Sequence, residues 1–507
     1  MIEDSNTSRL PRGWALFNLD DIVADGRDSI KRGPFGSTIK KAYFVPSGYK
    51  VYEQQNVIYD DFTLGNYYID AKKFEELRGF ELKSGDFVIS CSGTIGRAAI
   101  VPINIQRGVI NQALLKLTLN KALVDSKYFY YLFTSEVMQN RINANTRGTA
   151  ITNIASVKAL KSIGFPIAPL NEQKLVVAKI EELLSFLGAG VESLRKVKTL
   201  LKRYRQAVLK YAFEGKLTEE WRKTHKDQIE PAQKLLEQIE QERRKNATTK
   251  HKEPPPIDTA GLSKIPDDWV WTSIDALFDV GSGGTPSRKK PEYWNGDIPW
   301  VTSGEVAFSE IKDTKEYITQ EGLENSSAKL YPSGTVLLAL YGEGKTRGQV
   351  AILRLPATTN QAIACILCSS SPIPPEYVFW WLCYRYYETR SIGEGANQPN
   401  MYLHHVRRMP IPLAPLMEQR VIVERIKHDL SKVDKMEDTI EQSFQRSEKL
   451  RQSILKRAFE GKLVSQDPTD EPANRLLARI KEVKTKHENR TNDVVAEEKK
   501  GLMRYVK

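Results

Sequence analysis

The chain has 507 residues, of which 40% are hydrophobic and 27% charged, with a formal net charge of +12. This length accommodates two or more domains with full cores, and the modest apolar share suits an elongated chain with long solvated helices better than one compact globule. The basic surplus favours a polyanionic partner; no apolar run reaches the ~18 residues of a membrane span, and the opening "MIEDSNTSRLPRGW" lacks a signal-peptide core, so a soluble cytoplasmic protein is expected.

Residues 1–165 read as a first mixed α/β domain, with strand-like alternation and turn signals in "GDFVISCSGTIGRAAIV" at Gly85–Val101. Residues 166–222 read as a long helical region. Ile180, Leu183, Leu187, Leu194, Val197, Leu201, Tyr204, Val208 and Tyr211 fall on heptad spacing, with Gly190 as the gap. Residues 223–262 carry a charged stretch ending in "HKEPPP", read as a helix running into an inter-domain linker. Residues 263–411 read as a second mixed α/β domain, with "SGTVLLALYGEGKTRGQVAIL" at Ser333–Leu353 as its strand-turn signal. Residues 412–465 repeat the helical region, with Ile426, Val433, Met436, Ile440, Leu450 and Ile454 on the stripe and Asp429 and Ser443 interrupting it. Residues 466–507 read as a charged C-terminal tail.

The two helical regions are copies. Pro166–Leu217, "PIAPLNEQKLVV…AVLKYAFEGKL", aligns without a gap onto Pro412–Leu463, "PLAPLMEQRVIV…SILKRAFEGKL", with about 20 of 52 positions identical and those clustered at the two ends. Constant length with drifting sequence is what a helical spacer needs, because each added residue shifts its end by ~1.5 Å and turns it by ~100°. The repeat extends outward more weakly: "LPRGWALFNLDDI" at Leu10–Ile22 matches "IPDDWVWTSIDAL" at Ile265–Leu277, and "INQALLKL" at Ile110–Leu117 matches "TNQAIACI" at Thr359–Ile366. Each half therefore has the order variable domain, then long helix. A striped helix cannot bury its stripe alone, so the two copies are expected to pack on each other as an antiparallel coiled coil about 65 Å long. Glu172 and Glu418 suit helix N-termini, and Gly215 and Gly461 suit C-terminal breaks.

Enzymatic motifs are weak. "ALYGEGKT" at Ala339–Thr346 satisfies a relaxed phosphate-loop pattern, but "RGQVAILRL" follows it and alternates like a strand, where a phosphate cradle needs a helix N-terminus. No Asn/Asp-Pro-Pro-Tyr/Phe signature of adenine methylation is present, the adjacent His404 and His405 lack metal-site spacing, and Cys365 and Cys368 lie in what reads as a buried strand. No catalytic residue and no metal ligand is assigned.

The chain resembles the specificity subunit of type I restriction–modification systems. "GPFGSTIKKAYFVPSGYKVYEQQNV" at Gly33–Val57 and "GSGGTPSRKKPEYWNGDIPWVTSGEV" at Gly281–Val306 are similar to two common openings of target-recognition domains in that family. "APLNEQ" and "APLMEQ" before the helices, and "AFEGKL" after them, resemble its region boundaries. The resemblance covers roughly residues 10–465. It implies an α+β fold: two mixed α/β target-recognition domains (1–165 and 263–411) separated by two long antiparallel coiled-coil helices, in a pseudo-two-fold internal repeat. It also implies that each domain reads one half of a bipartite double-stranded DNA site while the helices set the gap. Two modification subunits, which bind S-adenosylmethionine and methylate adenine, would dock on the helices. Two restriction subunits that use ATP and Mg would join them, and this chain would bind no cofactor. Set apart from the resemblance, basic charge and a repeat also fit a coiled-coil adaptor without DNA recognition.

Phosphates need Lys, Arg or backbone N–H donors, and base edges need side chains with matched donors and acceptors. The candidate DNA contacts are Lys31, Arg32, Ser37, Thr38, Lys40, Lys41, Arg97 and Arg147 in the first domain. In the second they are Ser287, Arg288, Lys289, Lys290, Lys345, Arg347, Asn397, Gln398 and Asn400. The repeated helix ends, Ala212, Phe213 and Leu217 with Ala458, Phe459 and Leu463, are candidates for partner docking.

Overall fold

The short apolar runs form sheets and the two striped segments form helices. The computed structural model describes residues 10–35, 38–91, 96–144, 157–246, 256–259, 261–342, 344–392, 401–483 and 485. The chain divides into two units, Met1–Ser193 with Gln442–Lys507, and Leu194–Glu441.

In the first unit, strands Ile30–Arg32, Leu114–Leu117, Phe87–Ser90 and Ala98–Ile100 make a four-stranded antiparallel sheet in that order. A second, three-stranded sheet runs Tyr68–Ile69, Tyr49–Tyr52, Gly108–Ile110. Every residue of Phe87–Ser90 and Leu114–Leu117 is buried, as expected of strands covered on both faces. Helix Ser126–Thr134 covers one face, with Phe129 and Phe133 edge-on to Phe87.

The second unit repeats this topology although its sequence has diverged. Asp279–Ser282, Ile363–Leu367, Val336–Ala339 and Val350–Leu353 take the same order, extended by Ser309–Ile311. Glu316–Ile318, Trp294–Val301 and Thr358–Thr359 form the three-stranded sheet. Cys365 and Cys368 pack into separate apolar clusters, and burial pushes both thiols up, so they are core residues.

A two-stranded antiparallel ribbon brackets each variable domain: Ala15–Phe17 with Phe165–Ile167, and Val270–Ser273 with Pro410–Leu413. A buried tyrosine hydroxyl pins each ribbon to the domain, Tyr128 donating to the Pro166 carbonyl at 3.0 Å and Tyr377 to that of Pro412 at 2.6 Å. The glutamine of the "EQ" pair does the rest. Gln173 donates to the Leu123 and Ala168 carbonyls and accepts from the Asp125 backbone N–H. Its copy Gln419 donates to the Ala414 carbonyl, but Gln419 Oε1 is buried without a partner. The position matching Asp125 is Pro374, which has no N–H to give. Gln173→Met should therefore cost about 2–3 kcal/mol, because it orphans three buried backbone groups, and Gln419→Met about 1 kcal/mol or less. Paired denaturant titrations read the difference.

The long helices run Leu170–Phe213 and Leu416–Phe459. Each unit takes the start of one helix and the end of the other. In the second unit Lys198 pairs with Glu441 and Arg205 with Asp434, so the helices run antiparallel. There Val208, Leu209 and Ala212 share a core with Ile422, Ile426 and Leu430, and Leu201 and Val433 are buried on the same helices. In the first unit Val176, Val177 and Ile180 share a core with Ile454, Leu455 and Ala458. The heptad reading is corrected in one respect. Leu201, Val208, Ile426, Val433, Ile440 and Ile454 of the expected stripe are buried, but Val197, Tyr204, Tyr211, Met436 and Leu450 lie 42–53% exposed, so only part of the stripe is packed. Gly215 (φ +70°) and Gly461 (φ +67°) end the helices in the left-handed conformation, as expected.

Two segments read from sequence as linker and tail contribute to the cores. Helix Ala232–Asn246, within 223–262, buries Ala232, Leu235 and Ile239 in the second unit. Residues 473–483, within 466–507, are helical and bury Ala473 and Leu476 in the first. They are one repeated element: "EPAQKLLEQI" at Glu230–Ile239 matches "EPANRLLARI" at Glu471–Ile480. The Ala232 N–H donates to the Asp268 carbonyl and the Ala473 N–H to that of Gly13, each at 2.9 Å, one residue before the tryptophan that opens each domain. The high charge of both segments masked an apolar stripe of only three or four residues.

Candidate nucleic-acid interface

Both candidate loops leave their sheets at a glycine pressed against backbone. A Cβ on Gly33 would lie 1.8 Å from the Asn111 carbonyl oxygen, and one on Gly283 would lie 1.9 Å from that of Thr359. The asparagines of the "NQA" repeats shape the opposing turns, Asn111 accepting from the Ala113 N–H and Asn360 from that of Ala362. The loops "GPFGSTIKK" and "GGTPSRKK" thus start from matching places in matching sheets.

In the first unit Lys31 pairs with Asp28 at 2.6 Å, and the Arg32 guanidinium lies 5.2 Å from the centre of the exposed Phe35 ring. Thr38 donates to the Phe35 carbonyl, closing the loop, and Lys40 and Lys41 project from it exposed. Arg97 is exposed just after Gly96, whose φ of +76° and contact with Gln139 fix the turn. Ser37 and Arg147 lie outside the described residues.

In the second unit the Arg288 guanidinium stacks 3.6 Å over Trp294, lies 5.0 Å from Trp300, and pairs with Glu316 at 2.6 Å. Trp294 in turn donates to the Ser287 carbonyl. Lys290 donates to the Tyr293 hydroxyl at 2.7 Å, which raises its pKa, and Lys289 is exposed. This aromatic support was missed from sequence, although "EYWNGDIPW" carried its signal. A stacked, ion-paired guanidinium is a pre-aligned planar donor, while Lys289 is a freely moving point charge.

"ALYGEGKT" forms a turn between strands Val336–Ala339 and Val350–Leu353, so no helix N-terminus stands behind Lys345 to cradle a phosphate. The turn is clamped instead. Tyr386 donates to the Lys345 carbonyl, Arg390 to that of Gly344, and Arg347 to that of Arg390. Lys345 stands exposed in this turn. Asn397, Gln398 and Asn400 lie outside the described residues. Among the described residues no His/Cys/Asp/Glu group could hold a metal, and no helix is long and apolar enough to cross a membrane.

The helix ends read as docking surfaces are differently placed. Ala212 and Phe213, and Ala458 and Phe459, are buried in this chain's own cores. Phe213 is ringed by Tyr377, Trp381 and Tyr384, Phe459 meets Tyr128, and Leu217 and Leu463 pack half-buried beside them. Each "AFEGKL" closes a domain on its helix, because the aromatic finds enough apolar area there to leave none for a partner.

A family model described as the type I restriction modification DNA specificity domain matches residues 11–189 and again 266–450. The chain belongs to this family. The first matched span holds one variable domain and the start of the first long helix, and the second holds the other domain and most of the second helix, so the specificity domain occurs twice, as the duplicated topology does. The type I restriction enzyme EcoDI specificity subunit of Escherichia coli is 24% identical over 358 residues, covering 69% of this chain and 73% of that protein. The StySPI specificity subunit of Salmonella potsdam is 22% identical over 498 residues, covering 92% and 93%. A solved chain from work on complex assembly and conformational transition of the type I R-M system shares the fold, with a TM-score of 0.60 and 17% identity over 90% of this chain and 99% of that one. None of these comparisons favours a coiled-coil adaptor.

If Lys345 meets a phosphate, Lys345→Ala should weaken binding about equally for all duplex sequences and lower the salt slope by ~1. Titrations at several salt concentrations, against a scrambled duplex as well as a specific one, measure both.

Proposed function

We propose that this chain is the DNA sequence-specificity subunit of a type I restriction–modification complex. Each variable domain reads one half of a split double-stranded DNA site. The observation that carries this is the double family match within one chain, each match holding a domain with its own clamped basic loops. The long helices fix the gap between half-sites, since each runs unbroken through 44 residues. Two modification subunits dock on the helical regions, and two restriction subunits complete the assembly in the cytoplasm. S-adenosylmethionine, ATP and Mg belong to those partners. The chain contributes target choice and no catalytic residue.

Mapping modified adenines in cells with and without this chain tests the reading. A two-part motif with a fixed gap should disappear on deletion, and unchanged methylation would refute it. Lengthening both long helices by about one turn should widen the gap and leave the half-site bases alone.

A further inference from the structure

An exposed glutamine is repeated between the two variable domains without a packing reason. The string runs "INQALLKL" in one and "TNQAIACI" in the other, so only the turn itself has been kept, and both Gln112 and Gln361 face solvent. The turns are shaped by Asn111 and Asn360 and do not call for the glutamine beside them.

The surroundings of the two glutamines match. Sheet register sets Arg32 opposite Leu115 and Ser282 opposite Ala364, so Gly33 corresponds to Gly283. In the first unit the Gln112 backbone nitrogen lies 3.0 Å from where a Cβ on Gly33 would stand, at the root of "GPFGSTIKK". On its other side the Ala113 carbonyl accepts from the Cys91 N–H at 2.7 Å, where the chain leaves its strand for the turn before Arg97. In the second unit Gln361 Oε1 accepts from Thr285 Oγ1 of "GGTPSRKK" at 2.5 Å. The Ala362 carbonyl accepts from the Leu340 N–H at 2.8 Å, where the Lys345 turn begins. Each glutamine therefore stands between the two basic loops of its own domain. The bond to Thr285 is not the shared role, because Phe35 occupies that position in the first domain.

We infer that Gln112 and Gln361 each donate an amide N–H to a DNA phosphate, one backbone contact per half-site, made alike by domains that read different bases. This rests on the DNA-reading role proposed above. Two considerations select phosphate over base. A glutamine that reads adenine must accept from N6 while donating to N7, and Gln361 Oε1 is already engaged by Thr285. Domains that read unlike half-sites can share a contact to what every duplex offers, which is its backbone.

The full-length chain is titrated with a duplex carrying the mapped methylation motif and with a scrambled one. Gln112→Ala and Gln361→Ala should each weaken binding of both duplexes roughly tenfold. The salt slope should hold, because a neutral donor releases no counterion, whereas Gln361→Lys should restore binding and steepen the slope by ~1. Both glutamines are exposed, so an unchanged melting temperature reports intact folding. Thr285→Val, which removes only the bond within the chain, should weaken binding much less than Gln361→Ala. An equal loss from those two would make Gln361 a loop brace and overturn its assignment. Unchanged binding in both alanine variants would overturn the inference, as would an altered base preference when they select from a randomised duplex pool. If the unaltered chain holds neither duplex, the DNA-reading role fails and takes the contact with it; with binding intact in the unaltered chain, the alanine variants judge the contact alone.

Discussion

Glu418→Gln should destabilise the second unit by about 3 kcal/mol, a fall in melting temperature of roughly 6–10 °C. Glu418 is fully buried and accepts from Thr218 Oγ1 at 2.6 Å, Trp269 Nε1 at 2.9 Å, and Arg222 Nη2 and Nε at 2.9 and 3.0 Å. Arg222 is itself only 15% exposed at its side chain, so an amide at position 418 strands a nearly buried cation. The slight exposure of Arg222 places the effect at the lower end for broken buried pairs. The copy in the first unit predicts the opposite sign. Glu172 accepts from Trp14 Nε1 at 3.0 Å and Gln466 Nε2 at 3.4 Å, and no cation pairs with it in these contacts. Burial pushes its pKa above the usual glutamate range, helped by the charge of Asp470. A raised folded-state value means the folded unit holds its proton more tightly than the unfolded chain. Glu172 therefore favours folding at acidic pH and loses that contribution as pH rises through the raised value. Glu172→Gln keeps an acceptor for Trp14, so it should flatten this pH dependence and stabilise the first unit at neutral pH. Calorimetric melts of the two variants across pH 4 to about 8 separate the cases. A comparable loss from both substitutions would show that Arg222 does not decide the matter.

Leu476→Ala should cost about 2–4 kcal/mol in the first unit, and Leu235→Ala the same in the second. The two leucines are 7% and 8% exposed and occupy the same place in the repeated docking helix. Val483, at 55% exposure on the same C-terminal segment, provides the control, since its truncation to alanine should change stability by less than about 0.5 kcal/mol. Domain-resolved hydrogen exchange checks that each loss stays in its own unit. If Leu476→Ala were as silent as Val483→Ala, residues 473–483 would contribute nothing to the core.

How much of this could be read from the sequence varied with the range of the interaction. The helical copies were legible because their ends are identical and their lengths equal, and the "NQA" and tryptophan anchors because each makes a local turn or a short ribbon. The docking helices were hidden by register. A five-residue difference between Leu217–Glu230 and Leu463–Glu471 breaks the 246-residue offset that reveals the rest. The seam was misplaced because Val197, Tyr204 and Tyr211 satisfy heptad spacing as well as Leu201 and Val208 do. Which row is buried depends on the partner helix and on the domain beside it, neither of which the local pattern encodes. The loops were found by residue type, but the ion pair of Arg288 with Glu316 and the clamp on Lys345 rest on strands and helices further along the chain. The helix-end aromatics were assigned the wrong role because a short apolar motif looks the same whether it faces a partner or its own core.

The place of residues 473–483 bears on how the chain is born. The second unit is one uninterrupted stretch, so all its parts have been synthesised before the ribosome reaches the second helix's end. The first unit begins earliest yet includes the last described residues of the chain. During translation its Trp14 and Phe165 cluster must wait, with apolar area uncovered, until the C-terminal segment emerges. Within this unit the share made first is thus the last to be covered, and transiently uncovered apolar area of that kind is prone to aggregate.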